Sequence, residues 1–465
     1  MYNPENQYRC TIIRGKAQKD LDNLLPSYSN FINEMCPTDK ESFNDNFNDY
    51  LSEIFYDTKY EDLSSNNQKT IRNHITEIAG KLFGLYYSEG DLILESESCS
   101  KLVEDNDQPA FFKNLCLNFQ FPNGTQKIQT IQERIDNQIK FKPFHFILAI
   151  LKLAKVKKVV INKDEISYYI LNSKDVLQGK VSPIEVLETI ISRREKGDIR
   201  KLEVNSYNTQ HIREQLNLLE LSNLIRIQGN DLYLNSLEHI AIELFIKKVD
   251  SPLAFDIYSY NLSIREEKDK MYEDWSKYFG KVNVSDYNLL STSIEALQQK
   301  EEDAEPKKDK KKGLDHTILG DEGEEYVYNI EMERVSAFNP RLTNKVIMLG
   351  KQRGIGYDIS SVEANENIQD PEFARFIEVK STKRTTVPSL DDKSWVGTIN
   401  LTRKEWVAAK QYKTAYNIYR VYFTPNETII RKINNPFDKN EKGIISVLPT
   451  MYRMDFFSKS IDKQY

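Results

Sequence analysis

Apolar side chains recur at three- and four-residue steps through much of the N-terminal part of the chain. One early run with this spacing comprises Phe43, Phe47, Leu51, Ile54 and Phe55. Side chains spaced in this way lie on one face of an α-helix. Thr38 and Glu41, just before the run, match the capping-box pattern of a helix start. We therefore predict an amphipathic helix with an aromatic core face.

A helical pattern followed by short strands occurs twice in this region. In residues 70–94, a helical stretch leads to a polar turn and the apolar segment DLILE. In residues 141–235, three helical patterns lead to a turn at residues 228–231 between two short strands. Three helices followed by a two-stranded wing is the order of a winged-helix unit. We predict a mainly helical N-terminal region with winged-helix units, divided into residues 1–125 and 126–297.

The last helix of the second pattern carries polar residues suited to reading DNA. Its apolar stripe consists of Ile212, Leu216 and Leu219. The polar residues predicted to face outward are Gln210, Arg213, Glu214 and Asn217. In helix-turn-helix proteins one helix lies in the major groove, where Gln, Asn and Arg side chains pair with base edges. The candidate DNA-binding residues are Gln210, His211, Arg213 and Asn217. The alternative is a protein-contacting helix, because a polar outer face is normal on any surface helix.

A charged segment follows the helical region. Residues 298–316 contain an acidic block, one proline and a basic block, with few apolar side chains. This composition predicts a solvated linker between two domains. An alternative role for its basic block is contact with DNA phosphates by Lys307, Lys308, Lys310, Lys311 and Lys312.

Composition restricts the class of protein. The net charge of −6 argues against a uniformly basic nucleic-acid-binding surface, although it leaves room for a local basic groove. The four cysteines lie far apart without a CxxC pair, which argues against a zinc site or a disulfide framework. The chain has no apolar run near the roughly 20 residues that span a bilayer, and its N-terminus has no secretion signal. We predict a cytoplasmic protein without contact to membranes.

The last part of the chain, residues 317–465, changes to a mixed pattern of helices and strands, as expected for a small α/β layer domain. Its first helical pattern places Glu324, Val327 and Glu331 along one face. Seven residues of helix rise about 10 Å, so the two carboxylates are unlikely to bind one ion together. We expect only Glu324 to belong to an inner site.

Two predicted strands carry the residues with the clearest chemistry. Asp358 interrupts an apolar strand after a glycine-rich turn. In the next strand the side chains alternate between the two faces, so Glu378 and Lys380 lie on the same side. Two carboxylates can bind a hard cation such as Mg²⁺, and the lysine can position or deprotonate an attacking water. This set of residues suits phosphodiester hydrolysis.

Five ordered blocks resemble the PD-(D/E)XK nuclease superfamily, and more narrowly the Mrr-like branch typified by the C-terminal domain of the plant protein NO VEIN. The blocks are GxxGExxV from Gly320, GYDIxS from Gly356, IEVKST from Ile377, LTxxEW from Leu401 and YxIYRV from Tyr416. The resemblance implies a Mg²⁺ site formed by Asp358, Glu378 and Val379. It also implies that Lys380 is the catalytic lysine and that Glu324 supports the site from its helix.

Thr402 and Glu405 in the fourth block match a second capping box. We therefore interpret Glu405 as a helix cap rather than as a catalyst.

The N-terminal part resembles, more loosely, the recognition regions of type II restriction endonucleases. This likeness rests on the blocks at residues 111–124 and 142–155 and on the winged-helix pattern.

Together these patterns predict an α+β multidomain restriction endonuclease of type II or type IIS. Its substrate would be double-stranded DNA, and cutting both strands would require a stable or transient homodimer. Two alternatives remain open at this point: a nuclease that requires modified bases, and a catalytically inactive DNA-binding regulator.

Overall fold

The structure is a computed structural model that describes residues 5–12, 18–202, 206–298, 318–350, 355–389, 396–448 and 453–464. Contacts within the chain divide it into two units. The first comprises most of the described residues up to Leu297, and the second most of those from Ile318 onward. Apart from Gln298, the predicted linker and its lysines lie outside the described residues.

Helices dominate the first unit, as the periodicity predicts. The α-helices are α1 (Gln18–Met35), α2 (Lys40–Tyr56), α3 (Ser65–Asn73), α4 (Glu97–Asp105), α5 (Gln108–Asn118), α6 (Ile128–Asp136), α7 (Pro143–Val156), α8 (Lys163–Glu165), α9 (Lys174–Leu177), α10 (Pro183–Glu195), α11 (Ser206–Leu221), α12 (His239–Lys247), α13 (Arg265–Phe279), α14 (Val284–Tyr287) and α15 (Ile294–Gln298). π-Helical segments extend α3 and α8: His74–Leu82 and Ile166–Leu171. Short 3-10 helices lie at Tyr60–Asp62, Ser236–Glu238 and Ile257–Ser259.

Two small sheets of this unit have the same connectivity. Their strands are β1 (Thr38–Asp39), β2 (Tyr86–Glu89), β3 (Leu92–Glu95), β4 (Ile161–Asn162), β5 (Ile225–Gln228) and β6 (Asp231–Leu234). In each sheet a two-residue strand pairs antiparallel with the second strand of a later hairpin, in the orders β1-β3-β2 and β4-β6-β5. Gly90 and Gly229 adopt positive φ in the two hairpin turns, a conformation that glycine permits. The predicted order of helix followed by hairpin is confirmed in both places.

One local prediction for this unit is wrong, and one helix was not predicted. Helix α2 begins after Asp39, whose side chain accepts the backbone N–H of Ser42, so Thr38 is a strand residue rather than the cap. Helix α10, which the sequence reading did not predict, lies between the second and third predicted helices. It begins with a capping box of Ser182 and Glu185, so a local start signal was present.

One continuous apolar core runs through the first unit, from Cys10 to Leu290, without a break near residue 125. Helix α7 is buried along most of its length, as its unbroken apolar sequence predicts. The core also encloses a charged side chain: Lys113 has no exposed surface, and its Nζ is 2.6 Å from Glu238. Lys113 also donates to Thr292 Oγ1 at 2.7 Å, while Asn223 donates to Glu238 at 2.8 Å.

The second unit is built on a mixed sheet. Its helices are α16 (Ile318–Phe338), α17 (Arg403–Tyr412) and α18 (Pro436–Glu441), with 3-10 segments at Pro340–Lys345, Lys413–Ala415 and Ser458–Ser460. Its strands are β7 (Ile347–Met348), β8 (Ile359–Val362), β9 (Ala374–Lys383), β10 (Gly397–Asn400), β11 (Tyr416–Phe423), β12 (Thr428–Asn434), β13 (Ser446–Leu448), β14 (Arg453–Phe456) and β15 (Lys463–Gln464). Among described residues, the main sheet has the order β15-β12-β11-β9-β8-β7, and β10-β14-β13 form a smaller one. An α+β fold is therefore confirmed.

Helices lie on both faces of strand β9. A Cβ at Gly323 of α16 would clash with Ser381, so α16 approaches the face that carries Val379 and Ser381. Helix α17 lies on the opposite face, where Tyr412 packs against Phe376 with ring centroids 4.3 Å apart. Strand β9 is parallel to β11 and antiparallel to β8. Its central position fixes the side chains that it carries between two packed layers.

In the described part of the chain, no helix is both long and apolar enough to cross a lipid bilayer.

We expect Lys113→Ala to destabilise the first unit by roughly 3–5 kcal/mol, because it leaves the buried carboxylate of Glu238 without its ammonium partner. Urea denaturation of the full chain measures the effect. Lys196→Ala is the matched control, because Lys196 is exposed and should change stability by less than about 0.5 kcal/mol. Equal stability of the two variants would contradict the role assigned to Lys113.

Candidate functional site

Strand register brings Asp358 and Glu378 together. Ile359 lies opposite Ile377 in the antiparallel β8–β9 pair, which sets Asp358 opposite Glu378. Asp358 therefore lies immediately before β8, not inside a strand as predicted. Its Oδ2 accepts the backbone N–H of Val379 at 2.8 Å, and its carboxyl is within hydrogen-bonding reach of Glu378. The two predicted carboxylates thus share one site.

Lys380 lies between two carboxylates. Its Nζ is 2.7 Å from Glu378 Oε1 and 3.0 Å from Glu405 Oε2. Glu378 is buried at 3% exposure, whereas Lys380 retains 22% of its side-chain surface. The Lys380 side chain therefore keeps some contact with solvent, whereas its acidic partner Glu378 is shielded. The predicted neighbourhood of Glu378 and Lys380 on one strand face is observed.

Glu405 belongs to this site as well as to its helix. Thr402 accepts the backbone N–H of Glu405, and Glu405 Oε2 accepts the backbone N–H of Thr402 at 2.9 Å. The predicted capping box is confirmed, but the same Oε2 atom also pairs with Lys380. The sequence reading missed this second contact because Glu405 lies 25 positions from Lys380 in the chain. Its presence in the fourth ordered block was the available signal.

Burial and like charge control protonation in this cluster. Burial raises the pKa of Glu378 well above its usual range, and the neighbouring carboxylates of Asp358 and Glu405 raise it further. Burial also raises the pKa of Asp358, although the Val379 N–H opposes this change. For Lys380, burial disfavours the ammonium, but Glu378 and Glu405 outweigh it and raise the pKa. The cluster thus has excess negative charge when its acids are ionised.

The donor set fits a hard divalent cation. Three carboxylates from Asp358, Glu378 and Glu405 face one ammonium, so a divalent ion would balance the ionised cluster. Oxygen ligands are those that Mg²⁺ prefers, and Mg²⁺ commonly takes only one or two carboxylates together with water and phosphate oxygens. In the described residues no group of three or more acidic, histidine or cysteine side chains is arranged around a common metal position. A site here would therefore rest on two carboxylates.

Helix α16 places its two candidate carboxylates in different surroundings. Glu331 is fully buried, 2.6 Å from Arg334 and hydrogen-bonded by Tyr419 and Ser361 at 2.9 and 2.8 Å. Burial alone would raise the pKa of Glu331, but Arg334, together with Lys432 and Arg375, outweighs burial and lowers the pKa. Glu324 lies against Gly350, at the end of β7. The neighbouring Leu349 N–H donates to the carbonyl of Asp358, which places Glu324 near the strand end that carries Asp358.

The predicted DNA-reading helix, α11, is more deeply buried than its sequence suggests. Gln210 and Arg213 are exposed, as predicted. His211, Glu214 and Asn217 are buried at 2%, 8% and 9% exposure, so the prediction that Glu214 and Asn217 face outward is wrong. Helix α11 packs against α5 and α1, which buries more of its circumference than one apolar stripe. Burial lowers the pKa of His211 to about 3.

Helix α3 occupies the position before the first hairpin that α11 occupies before the second. Its exposed side includes Asn66, Lys69 and Arg72. Arg72 donates to the hydroxyl of Tyr60 at 2.8 Å. The sequence reading named no residues on this helix, although the repeated order of helix and hairpin was a signal for them.

Comparisons with known proteins find one matching family in the N-terminal part of the chain and another in the C-terminal part. The family described as restriction endonuclease BpuJI, N terminal, matches residues 2–276, more than half of the chain. The family described as protein NO VEIN, C-terminal, matches residues 323–433, which confirms that part of the predicted resemblance. A similar solved structure is the crystal structure of pyrene- and phenanthrene-modified DNA in complex with the BpuJ1 endonuclease binding domain. Its protein chain shares 45% sequence identity with this chain and matches it with a TM-score of 0.56. It covers 60% of this chain and 100% of its own. No curated protein matches the chain.

We expect Mg²⁺ to stabilise the second unit against heat through Asp358 and Glu378. At about ten times its dissociation constant, the ion should add roughly 1.4 kcal/mol. The pKa values of Asp358 and Glu378 are raised in the folded protein. Without metal, these two carboxyl groups therefore stabilise the fold at low pH, where they are protonated. That contribution is lost as the pH rises through their raised pKa values. The gain from Mg²⁺ should therefore increase with pH, as measured by thermal unfolding at pH 6 and pH 8.

Asp358→Asn tests this assignment, because asparagine can still accept the Val379 N–H but carries no charge. The variant should fold and lose the Mg²⁺-dependent shift. Glu441→Gln, at an exposed carboxylate, should keep it. An unchanged shift in Asp358→Asn would contradict the metal site.

Proposed function

Because this chain belongs to the restriction endonuclease BpuJI N-terminal family, we propose that it is a restriction endonuclease whose first unit binds double-stranded DNA and whose second unit hydrolyses it. The observation that carries the catalytic half of this proposal is the meeting of Asp358, Glu378 and Lys380. An acid pair beside a lysine is the donor set that phosphodiester hydrolysis needs. The assignment of the second unit to the PD-(D/E)XK type is part of the proposal.

Asp358 and Glu378 would hold Mg²⁺. Val379, which lies between Glu378 and Lys380 in the strand, would be the third metal ligand. When bound, the ion would polarise the scissile phosphate and offset developing negative charge. Lys380 keeps part of its side-chain surface, as do Asp358 and Glu405, and its proposed role is to contact the phosphate or orient the attacking water. Glu324, near the strand end of Asp358, is the proposed support from α16.

Glu405 acts in this proposal as a positioning residue for Lys380. Its carboxylate is fixed by the capping box, since Oε2 accepts the Thr402 N–H at 2.9 Å. That fixed oxygen holds the Lys380 ammonium at 3.0 Å. A rigid partner restricts the lysine to one geometry, which is what a catalytic side chain requires.

DNA recognition is assigned to the hairpin-containing sub-structures of the first unit, which we interpret as winged-helix units. In α11 the exposed residues Gln210 and Arg213 are best placed to contact DNA directly. His211 and Asn217 are buried and would need a local rearrangement to do so. In α3 we add Asn66 and Lys69 as contacts with bases or phosphates.

Cutting both strands requires two catalytic centres, so we propose that two copies of the chain associate, stably or transiently, on DNA. Separate reading and cutting units are compatible with cleavage outside the recognised sequence, the arrangement of a type IIS enzyme.

We expect Lys380→Gln to reduce Mg²⁺-dependent cleavage of plasmid DNA by about 10²–10⁴-fold, the usual contribution of a positioned proton-transfer group. Glu405→Gln should give a smaller loss, because glutamine preserves an acceptor for Thr402 but not the charge that holds Lys380. Lys404→Gln is the matched control, since Lys404 is exposed on the same helix. Full activity of Lys380→Gln in a single-turnover assay would overturn the catalytic assignment.

We expect Arg213→Ala to weaken binding of cognate DNA by about 1–3 kcal/mol if Arg213 pairs with a base, and to relax specificity at one position. Arg265→Ala, at an exposed arginine of α13, should leave affinity unchanged. Filter binding at several salt concentrations separates a base contact from a phosphate contact. Equal affinities for the two variants would remove α11 from the proposed interface.

A further inference from the structure

A cleft of about 630 Å³ opens in the first unit, and no residue of α3 or α11 lines it. Its walls come from the end of α5, the start of α7, the end of α12 and the segment that follows α13. Every lining residue belongs to the first unit, and all are among the described residues. The cleft has no part in the function proposed above.

Positive charge converges on this cleft. Its lining includes Lys142, Lys248 and Lys281, against one carboxylate, Asp286. Lys248 Nζ is 2.6 Å from Asp286, so this pair neutralises itself. For Lys142 and Lys281, no carboxylate lies within ion-pair distance in the described part of the chain. The lining therefore carries two lysines without a direct ion pair, although the Asp250 carboxylate favours the charged form of Lys142.

Lys142 is fixed rather than free to extend into solvent. Its Nζ donates to the backbone carbonyl of Ser251 at 2.6 Å and to that of Lys248. An ammonium has three N–H donors, so one remains for a ligand. Burial lowers the pKa of Lys142 to about 8, and an anion beside it would recover the electrostatic free energy lost on burial. Lys142 thus has the position of an anion anchor.

Beside the lysines, the cleft also has an apolar wall and a buried histidine. Leu117, Pro252 and Val284 contribute apolar wall. His145 lines the same cleft, is buried at 1% exposure, and its Nδ1 has no hydrogen-bond partner among the described groups. A buried polar atom without a partner is costly, and a ligand can satisfy it. Burial lowers the pKa of His145 to about 3, so the ring is neutral at pH 7.

We propose that this cleft binds a phosphate-bearing ligand of nucleotide size. The phosphate lies against Lys142 and Lys281, and the apolar wall with His145 receives the base. The lysines suit the phosphate of a nucleotide, the apolar wall and the neutral ring nitrogen suit its base, and the volume is large enough for one. A free nucleotide and a nucleotide within DNA present the same chemistry to this site.

Isothermal titration calorimetry on the full chain tests this proposal with deoxyadenosine 5′-monophosphate as the probe, and with deoxyadenosine and inorganic phosphate alone as partial ligands. The monophosphate should bind more tightly than either part. Lys281→Gln should weaken its binding by about threefold, as expected for a partly solvated charge pair. Asp286→Asn should tighten binding by a similar factor, because it removes the one carboxylate among the lining residues and frees Lys248.

Lys196→Gln is the matched control for Lys281→Gln, because Lys196 is exposed immediately after α10. Both cleft variants change side chains outside the core, so circular dichroism should show unchanged folding. Equal affinity for deoxyadenosine and its monophosphate, or weaker binding by Asp286→Asn, would overturn the proposal. Failure of the monophosphate to bind at millimolar concentration would overturn it as well.

Competition identifies the source of the phosphate. If a short DNA duplex displaces the monophosphate, and its own affinity falls in Lys281→Gln and rises in Asp286→Asn, the ligand is DNA. If the duplex does not compete, the ligand is a free nucleotide. Cleavage activity is not measured, so the outcome is independent of the proposed nuclease function.

Discussion

Strand β9 is covered on both faces, and every charge that it carries must therefore be matched within the protein. Isolated ions are too costly to bury. On the α17 face, Lys380 is paired with Glu378 and Glu405. On the α16 face, Arg375 is paired with Glu363 at 2.5 Å and donates to the Tyr419 hydroxyl at 3.0 Å. The position of the candidate catalytic residues therefore depends on charges being paired on both faces of β9.

The two faces satisfy that requirement to different degrees. Around Glu331, Arg334 and Tyr419 supply direct hydrogen bonds, and Lys432 lies 3.8 Å away. That network stabilises an ionised carboxylate, as its lowered pKa indicates. Around Glu378 the acids outnumber the ammonium, and the pKa is raised. We interpret the balanced network as structural support and the unbalanced one as the proposed cation site.

In the first unit, the residues proposed to contact DNA or phosphate lie on several separate surfaces. Helix α11 packs against α5 and α1, and Gln210 and Arg213 are among the few residues of its described part that remain exposed. The repeated connectivity of the two small sheets places α3 in the corresponding position beside the other hairpin. If α3 and α11 both contact DNA, recognition is divided between two short exposed helix faces rather than concentrated on one long face. The lysine-lined cleft would add a separate phosphate site to this unit.

The sequence by itself determined the features that depend on neighbours in the chain. Periodicity located the helix around Phe47 and the buried helix α7, and alternation along β9 placed Glu378 and Lys380 on one face. The capping box at Thr402 was also readable, since its two hydrogen bonds join residues three positions apart. Such features follow from local backbone geometry, which few residues fix.

Only the tertiary structure decided which distant groups meet. The register of β8 against β9 set Asp358 opposite Glu378, and the placement of α17 brought Glu405 to Lys380. Packing of α11 within the first unit buried His211 and Asn217, and the chain path gathered Lys142 and Lys281 around one cleft. These contacts join residues far apart in the sequence, so their geometry depends on how whole elements pack and cannot be read from a local pattern.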